Sequence, residues 1–203
     1  MEKLYFGPNF LLMKCLKLTV LFFLVYSIDA SAQFKLPVNN ALRTDLQKIV
    51  SEYPQHFEAI RGDVIHQNPQ TIEYASSLKV ADALGCMIIK YSSGLKPIYS
   101  WQALMFTSED FEEASKKYKW LFNQLKGLNI FYVKDQYTLK GSFEEATESR
   151  KFTNSILAPV SPPEPLKKLK VEVALQFEFP EWKVNLLVYE KEREDDERGE
   201  IAE

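Results

Sequence analysis

The chain has 203 residues, with 25 basic and 28 acidic side chains and a formal net charge of −3 at pH 7. Eight of the acids and three of the bases fall in residues 190–203, so the rest of the chain is close to neutral. A near-neutral body argues against nucleic-acid binding, which requires a concentrated basic surface, and we expect no nucleic-acid partner.

Residues 1–32 have the order of parts that is typical of a secretory signal peptide. A basic segment that ends at Lys17 precedes an apolar run, and Ala30-Ser31-Ala32 follows that run. This order predicts removal of residues 1–32 and a mature chain that begins at Gln33. The true start is expected at Met13, because the twelve residues before it do not fit the pattern. The signal peptide and its cleavage site, Ser31-Ala32-Gln33, are similar to those of exported bacterial proteins. We therefore expect a periplasmic or extracellular location.

The alternative for this segment is an uncleaved membrane anchor. A spanning helix needs about 20 consecutive apolar residues. Only eleven residues, Leu18 to Ile28, lie between Lys17 and Asp29. We therefore favour cleavage and expect no membrane span afterwards.

The chain after the cleavage point is long enough for one domain with a sizeable core. We expect a single α+β domain over 33–189, followed by an acidic disordered tail over 190–203. Cys86 is the one cysteine beyond the cleavage point, which excludes an intramolecular disulfide. It lies in an apolar run, the setting of an inert buried thiol.

Two helical regions are predicted. The first covers 44–60, where Thr44 to Gln47 has the pattern of a capping box and Pro54 is expected to break or kink the helix. The second covers 109–126, with Ser108 as N-cap and Gly127 just beyond its end.

Strand-like runs occupy the remaining chain. Three of them fall between the helices, at 72–80, 83–91 and 98–106, and the third has apolar residues on both faces. Further strands are predicted at 130–133, 137–143 and 151–157, and a final hairpin is predicted from 169–179 and 182–189. The segment 143–150 is either a turn that joins a hairpin or a short helix, and we favour the turn.

Together these elements predict an α+β fold in two layers. An antiparallel sheet of about six to eight strands packs on one long helix, 109–126, in the order α-β-β-β-α-β-β-β-β. The region 44–60 lies at an end of the sheet or on its other face. The order is similar to that of small two-layer α+β binding modules, a likeness of architecture that says little about function.

Few residues have a pattern that indicates chemistry. His56 and His66, the two histidines, lack the close spacing of a metal-binding pair. Glycines are scarce and form no phosphate-binding loop, and no serine lies in a nucleophile elbow. We therefore predict no catalytic residue, no metal and no cofactor.

Tyr99 and Trp101 are the candidate binding residues. They share one face of the third strand, and the opposite face already has enough apolar residues to meet a helix. Aromatic side chains left over in this way often line a partner or ligand surface. The alternative is that a second covering layer of the same chain buries them.

The expected function is that of an exported, non-enzymatic binding or assembly module. Its partner would be a protein, a small apolar ligand or a second copy in a homodimer that meets through Tyr99 and Trp101. The alternative is an exported hydrolase whose site is assembled from residues far apart in the sequence.

Overall fold

The computed structural model describes residues 40–92 and 96–190. The expected signal peptide, 1–32, lies outside the described residues, as does the expected acidic tail apart from Glu190. Two α-helices are described, α1 (Asn40–Glu52) and α2 (Phe111–Leu125). Short 3-10 helices occupy Tyr53–Gln55, Glu58–Ile60 and Glu164–Leu166.

The described chain also contains nine strands. They are β1 (Arg61–Gln67), β2 (Thr71–Ser76), β3 (Gly85–Tyr91), β4 (Ile98–Ser108), β5 (Asn129–Tyr132), β6 (Asp135–Gly141), β7 (Phe152–Pro159), β8 (Leu169–Glu178) and β9 (Glu181–Glu190).

All nine strands join one antiparallel sheet in the order β1-β2-β3-β4-β9-β8-β7-β6-β5. The prediction of an α+β fold with an antiparallel sheet is therefore confirmed, although the sheet has more strands than expected. The strand that the sequence does not predict is β1, which lies between the predicted helical region 44–60 and the first predicted strand, 72–80. Its side chains are largely exposed at the sheet edge, so they carry no apolar alternation that could reveal a strand.

The first helix differs from the prediction at its start. The chain is already helical at Asn40, so Thr44 lies inside α1 and the proposed capping box is wrong. The Gln47 side chain is used elsewhere. Its Nε2 donates to the Phe131 carbonyl oxygen at 2.8 Å, and its Oε1 accepts from the Phe131 amide at 2.7 Å. Gln47 thus occupies both backbone groups of a residue in the edge strand β5, where a further strand would otherwise pair.

The end of α1 follows the prediction. The α-helix stops at Glu52, and Pro54 lies in the first turn of the 3-10 helix that comes next. Proline cannot donate a backbone hydrogen bond, so the regular ladder ends there. His56 and Phe57 then adopt φ values of 55° and 59°, which turn the chain back toward the sheet.

The second helix lies where it was predicted, but its cap is different. Asp110, not Ser108, is the N-cap, and its carboxylate accepts from the amides of Glu112 and Glu113 at 2.7 and 3.3 Å. A carboxylate in this position also faces the positive end of the helix dipole. Just beyond the helix Gly127 has φ 76°, a value that suits glycine.

The segment 143–150 is neither helix nor strand. It belongs to the loop between β6 and β7, and those strands pair through Gly141 opposite Leu157 and Leu139 opposite Pro159. The turn interpretation is therefore confirmed. The Tyr118 hydroxyl of α2 donates to the Glu144 carbonyl at 3.1 Å and lies 2.6 Å from the Ser155 hydroxyl, so the loop is attached to the helix.

Strand register separates the sheet into two faces. Ile88, Trp101, Val188 and Val171 lie opposite one another across β3, β4, β9 and β8. These four are buried in the same apolar cluster as the buried side chains of α1 and α2. We call this side the helix face.

The other side, which we call the second face, carries the intervening residues. Met87, Gln102, Leu187, Glu172 and Ile156 form one row across β3, β4, β9, β8 and β7. The finer expectation, two layers built on a single long helix, stays a prediction.

Candidate functional site

The structure places Trp101 in the core, on the helix face. Its side chain is 0% exposed, and its indole Nε1 donates to the Ser76 hydroxyl at 3.0 Å. The Ser76 hydroxyl in turn donates to the Leu78 carbonyl at 2.7 Å. The premise that Trp101 faces away from the helices is thus corrected, and the alternative of a covering layer from the same chain applies to this residue.

Tyr99 lies on the same face near the start of β4 and is only half-buried. Its ring stacks on His56 with a centroid distance of 5.2 Å, and the Arg61 guanidinium lies 4.8 Å from its centroid. The structure therefore brings Tyr99 together with His56 and Arg61. Because Trp101 is buried, it cannot contribute to the apolar patch of Tyr99 and Trp101 through which we expected a homodimer to form.

A small cavity of about 120 Å³ adjoins Tyr99. Glu190, at the end of β9, lines it and forms an ion pair with Lys168 at 3.1 Å. Tyr53 also lines it, and burial, followed by the negative charge of Glu190, raises the pKa of that phenol above its usual range. Ligand pockets usually enclose about 300–1,000 Å³, so this cavity is too small for most organic ligands.

A larger cavity of about 350 Å³ lies on the second face, within the usual range for ligand pockets. It sits over β4, β9 and β8 near the middle of the sheet. The residues that line it combine two aromatic rings, two aliphatic side chains, two neutral polar groups and two carboxylates. They are Tyr91, Ile98, Ser100, Gln102, Glu172, Leu187, Tyr189 and Glu190.

Glu172 is the most unusual residue of this larger cavity. It lies at the middle of β8, and only 7% of its surface is exposed. Its Oε1 accepts from the Asn154 side-chain amide at 3.0 Å, and its Oε2 accepts from the Tyr189 hydroxyl at 2.6 Å. Removing a carboxylate from water is costly unless hydrogen bonds replace the lost solvation. These two bonds from neighbouring strands supply that replacement and fix the orientation of the carboxylate.

The opposite wall of the larger cavity is built from β3 and β4. The Gln102 amide nitrogen lies 3.5 Å from the Tyr91 hydroxyl and 3.4 Å from the Ser100 hydroxyl, both long hydrogen bonds. Burial raises the pKa of Tyr91, more than the bond from Gln102 lowers it, and the charge of Glu73 raises it further. Tyr91 is therefore a neutral donor or acceptor at physiological pH.

Glu172 could not be recognised as a site residue from the sequence, for an identifiable reason. In β8 it stands between Val171 and Val173, and such alternation predicts a solvent-exposed glutamate. Its burial comes from neighbouring strands that no local pattern reveals. The sequence did contain one signal of this burial, the length of the run in which apolar and polar residues alternate. A ten-residue strand, Leu169–Glu178, is suited to the middle of a sheet, where neighbouring strands can cover its polar residues.

The histidines and the cysteine that were considered as reactive groups do not lie together in one site. His56 adjoins the small cavity, whereas His66 is exposed on the edge strand β1. Within residues 40–92 and 96–190, no group of three or more His, Cys, Asp and Glu side chains is placed to hold a metal ion. Cys86 is half-buried, and burial raises the pKa of its thiol, which disfavours the reactive thiolate.

Comparison with known proteins identifies no similar protein. The chain matches no protein-family model, no curated protein and no solved structure. Neither of the two described α-helices is long and apolar enough to cross a membrane.

The position of Trp101 gives a direct test of the helix face. Trp101→Ser should destabilise the protein by at least about 3 kcal/mol, because it leaves a large cavity and removes the partner of Ser76. The matched control is Phe179→Ser at the turn between β8 and β9, where the ring is 90% exposed. That change should cost no more than about 0.5 kcal/mol. Similar losses for the two variants in urea titrations would contradict the burial of Trp101.

Proposed function

We propose that this protein is a non-enzymatic binding module whose ligand site is the larger cavity on the second face. The observation that carries the proposal is the buried carboxylate of Glu172, held by two hydrogen bonds at the floor of a cavity of about 350 Å³. Ligand sites are commonly concave, apolar in most of their lining and equipped with a few fixed polar groups. The larger cavity has each of these properties.

The position of the site on the sheet supports a binding role. Gln102, Leu187 and Glu172 stand directly opposite one another on three adjacent strands. Their backbone positions are fixed by the ladder hydrogen bonds of the sheet. A ligand would therefore meet a pre-ordered surface, which lowers the entropy cost of association.

An exported hydrolase is the second candidate, and one observation favours it. Two carboxylates, Glu172 and Glu190, line the same cavity, as in enzymes that use an acid and a base. Against this, both oxygens of Glu172 already accept hydrogen bonds, and Glu190 pairs with Lys168. Binding requires neither carboxylate to exchange a proton, so the module is the simpler proposal.

We also propose the two finer features that the sequence predicts. The helices would form one layer and the sheet the other, with the second face as the binding surface. Export to the periplasm or beyond the cell would bring that surface into contact with ligands from outside. The support for export is the order of basic, apolar and small residues in 1–32.

Filling the larger cavity should abolish binding without unfolding the protein. Leu187→Trp places a bulky ring inside the cavity, whereas Phe152→Trp enlarges an existing ring on the second face of β7, outside the lining. Fragments that shift the methyl resonances of Leu187 and Ile98 in the wild type should still bind the Phe152 variant. They should no longer bind the Leu187 variant. Equal binding to both variants, or a fragment screen that never shifts these methyls, would refute the site.

Export predicts a specific mature terminus. Mass spectrometry of the protein from its native host should find a chain that begins at or near Gln33, because the small residues before it fit the cleavage pattern. A soluble fraction that retains Met1 or Met13 as its first residue would rule out cleavage.

A further inference from the structure

We infer that the larger cavity is built for an organic cation: a protonated amine attached to an apolar, preferably aromatic, body. This inference rests on the proposed function and names the ligand class of the same site. It follows from the charge of the lining, the remaining hydrogen-bonding capacity of the Glu172 carboxylate and the placement of the tyrosines.

The charge of the lining is one-sided. Glu172 and Glu190 carry carboxylates, and none of the described residues that line the cavity is a lysine or an arginine. Lys168 pairs with Glu190 and lines the small cavity instead. Lys170 is on the second face two residues from Glu172, but it is not part of the lining. A cationic ligand would supply the positive charge that the cavity lacks.

Glu172 retains the capacity to bind such a group. A carboxylate offers about four lone-pair sites, and within residues 40–92 and 96–190 two hydrogen bonds, from Asn154 and Tyr189, are made to this one. Both donors are neutral, so neither compensates the charge. An ammonium donates up to three hydrogen bonds and would add both a charge partner and a further donor.

The aromatic and aliphatic residues indicate the rest of the ligand. Tyr91 and Tyr189 line the cavity, and aromatic faces attract organic cations by about 0.5–2 kcal/mol. Ile98 and Leu187 provide apolar contact for the body of the ligand. Gln102 adds a neutral amide that can bond to a polar substituent.

The two carboxylates of the lining give the cavity a negative field. Clustered charge of one sign raises the local concentration of ligands of the opposite sign. The same field would repel an anionic ligand.

Three probes of similar shape and different charge test the inference. They are 2-phenylethylamine, which is a cation at pH 7, 2-phenylethanol, which is neutral, and 3-phenylpropanoate, which is an anion. Binding is measured on the full mature chain by calorimetry and by the methyl shifts of Leu187 and Ile98. The amine should bind about tenfold or more tightly than the alcohol, and the anion most weakly.

Variants then locate the preference. Glu172→Gln should reduce the advantage of the amine over the alcohol by about tenfold, because it removes the charge and keeps the shape. Glu148→Gln makes the same chemical change at an exposed position outside the cavity and should leave the ratio unchanged. If Glu172→Gln does not fold, the ranking of the three probes on the wild type still decides the question.

The outcomes separate this inference from the proposed function. If the alcohol or the anion binds as tightly as the amine or more tightly, with shifts at Leu187 and Ile98, the preference for a cation is refuted. The proposal that the cavity is a ligand site then still stands. Amine binding that does not shift these methyls, or that survives Glu172→Gln with its preference intact, also overturns the inference. If no probe binds and no fragment shifts these methyls, both the inference and the proposed function fail.

Discussion

The pairing of β9 with β4 is the contact on which the rest of the structure depends. Strands β1 to β4 follow one another in sequence and in the sheet, as do β5 to β9. The two runs meet only where β9 lies between β4 and β8, in the middle of the nine strands. The chain passes from β4 to the far edge at β5 through α2, whose residues contact β4, β9 and β8. Without the β4–β9 ladder, α2 would have no continuous surface to cover.

Strict alternation along these central strands produces both the core and the candidate site. Leu186 is buried on the helix face, and Leu187 lines the larger cavity on the second face. Val171 and Val173 are buried on the helix face, and Glu172 between them points to the other side. A slip of one residue in the β8–β9 register would exchange these roles and place a carboxylate among the core residues. The stability of the core and the geometry of the site thus depend on the same register.

Local patterns were sufficient for the elements whose own residues determine them. The hairpin of β8 and β9 shows apolar alternation, α2 shows an apolar stripe, and Pro54 ends α1 where proline chemistry requires. What could not be predicted depends on residues distant in sequence. Gln47 was assigned to a cap because its true partner, Phe131, lies 84 positions away.

The candidate site escaped prediction for the same reason. Apolar residues on both faces of β4 left open which face the helices cover, and Trp101 was placed on the wrong one. The partners of Glu172 come from β7 and β9, and only the assembled sheet shows that this glutamate is buried. Tyr99 lies on the helix face together with Trp101, and its neighbours are His56 and Arg61 of its own chain.

The central claim is that neighbouring residues of one strand lie on opposite sides of the sheet, one in the buried core and the other on an accessible second face. Methyl NMR with a soluble paramagnetic relaxation agent measures this directly. The methyls of Leu187 and Ile89 should relax much faster with added agent than those of Leu186 and Ile88, which are 0% exposed. Equal protection of both pairs would contradict the account, because it would mean that the second face is covered as completely as the first.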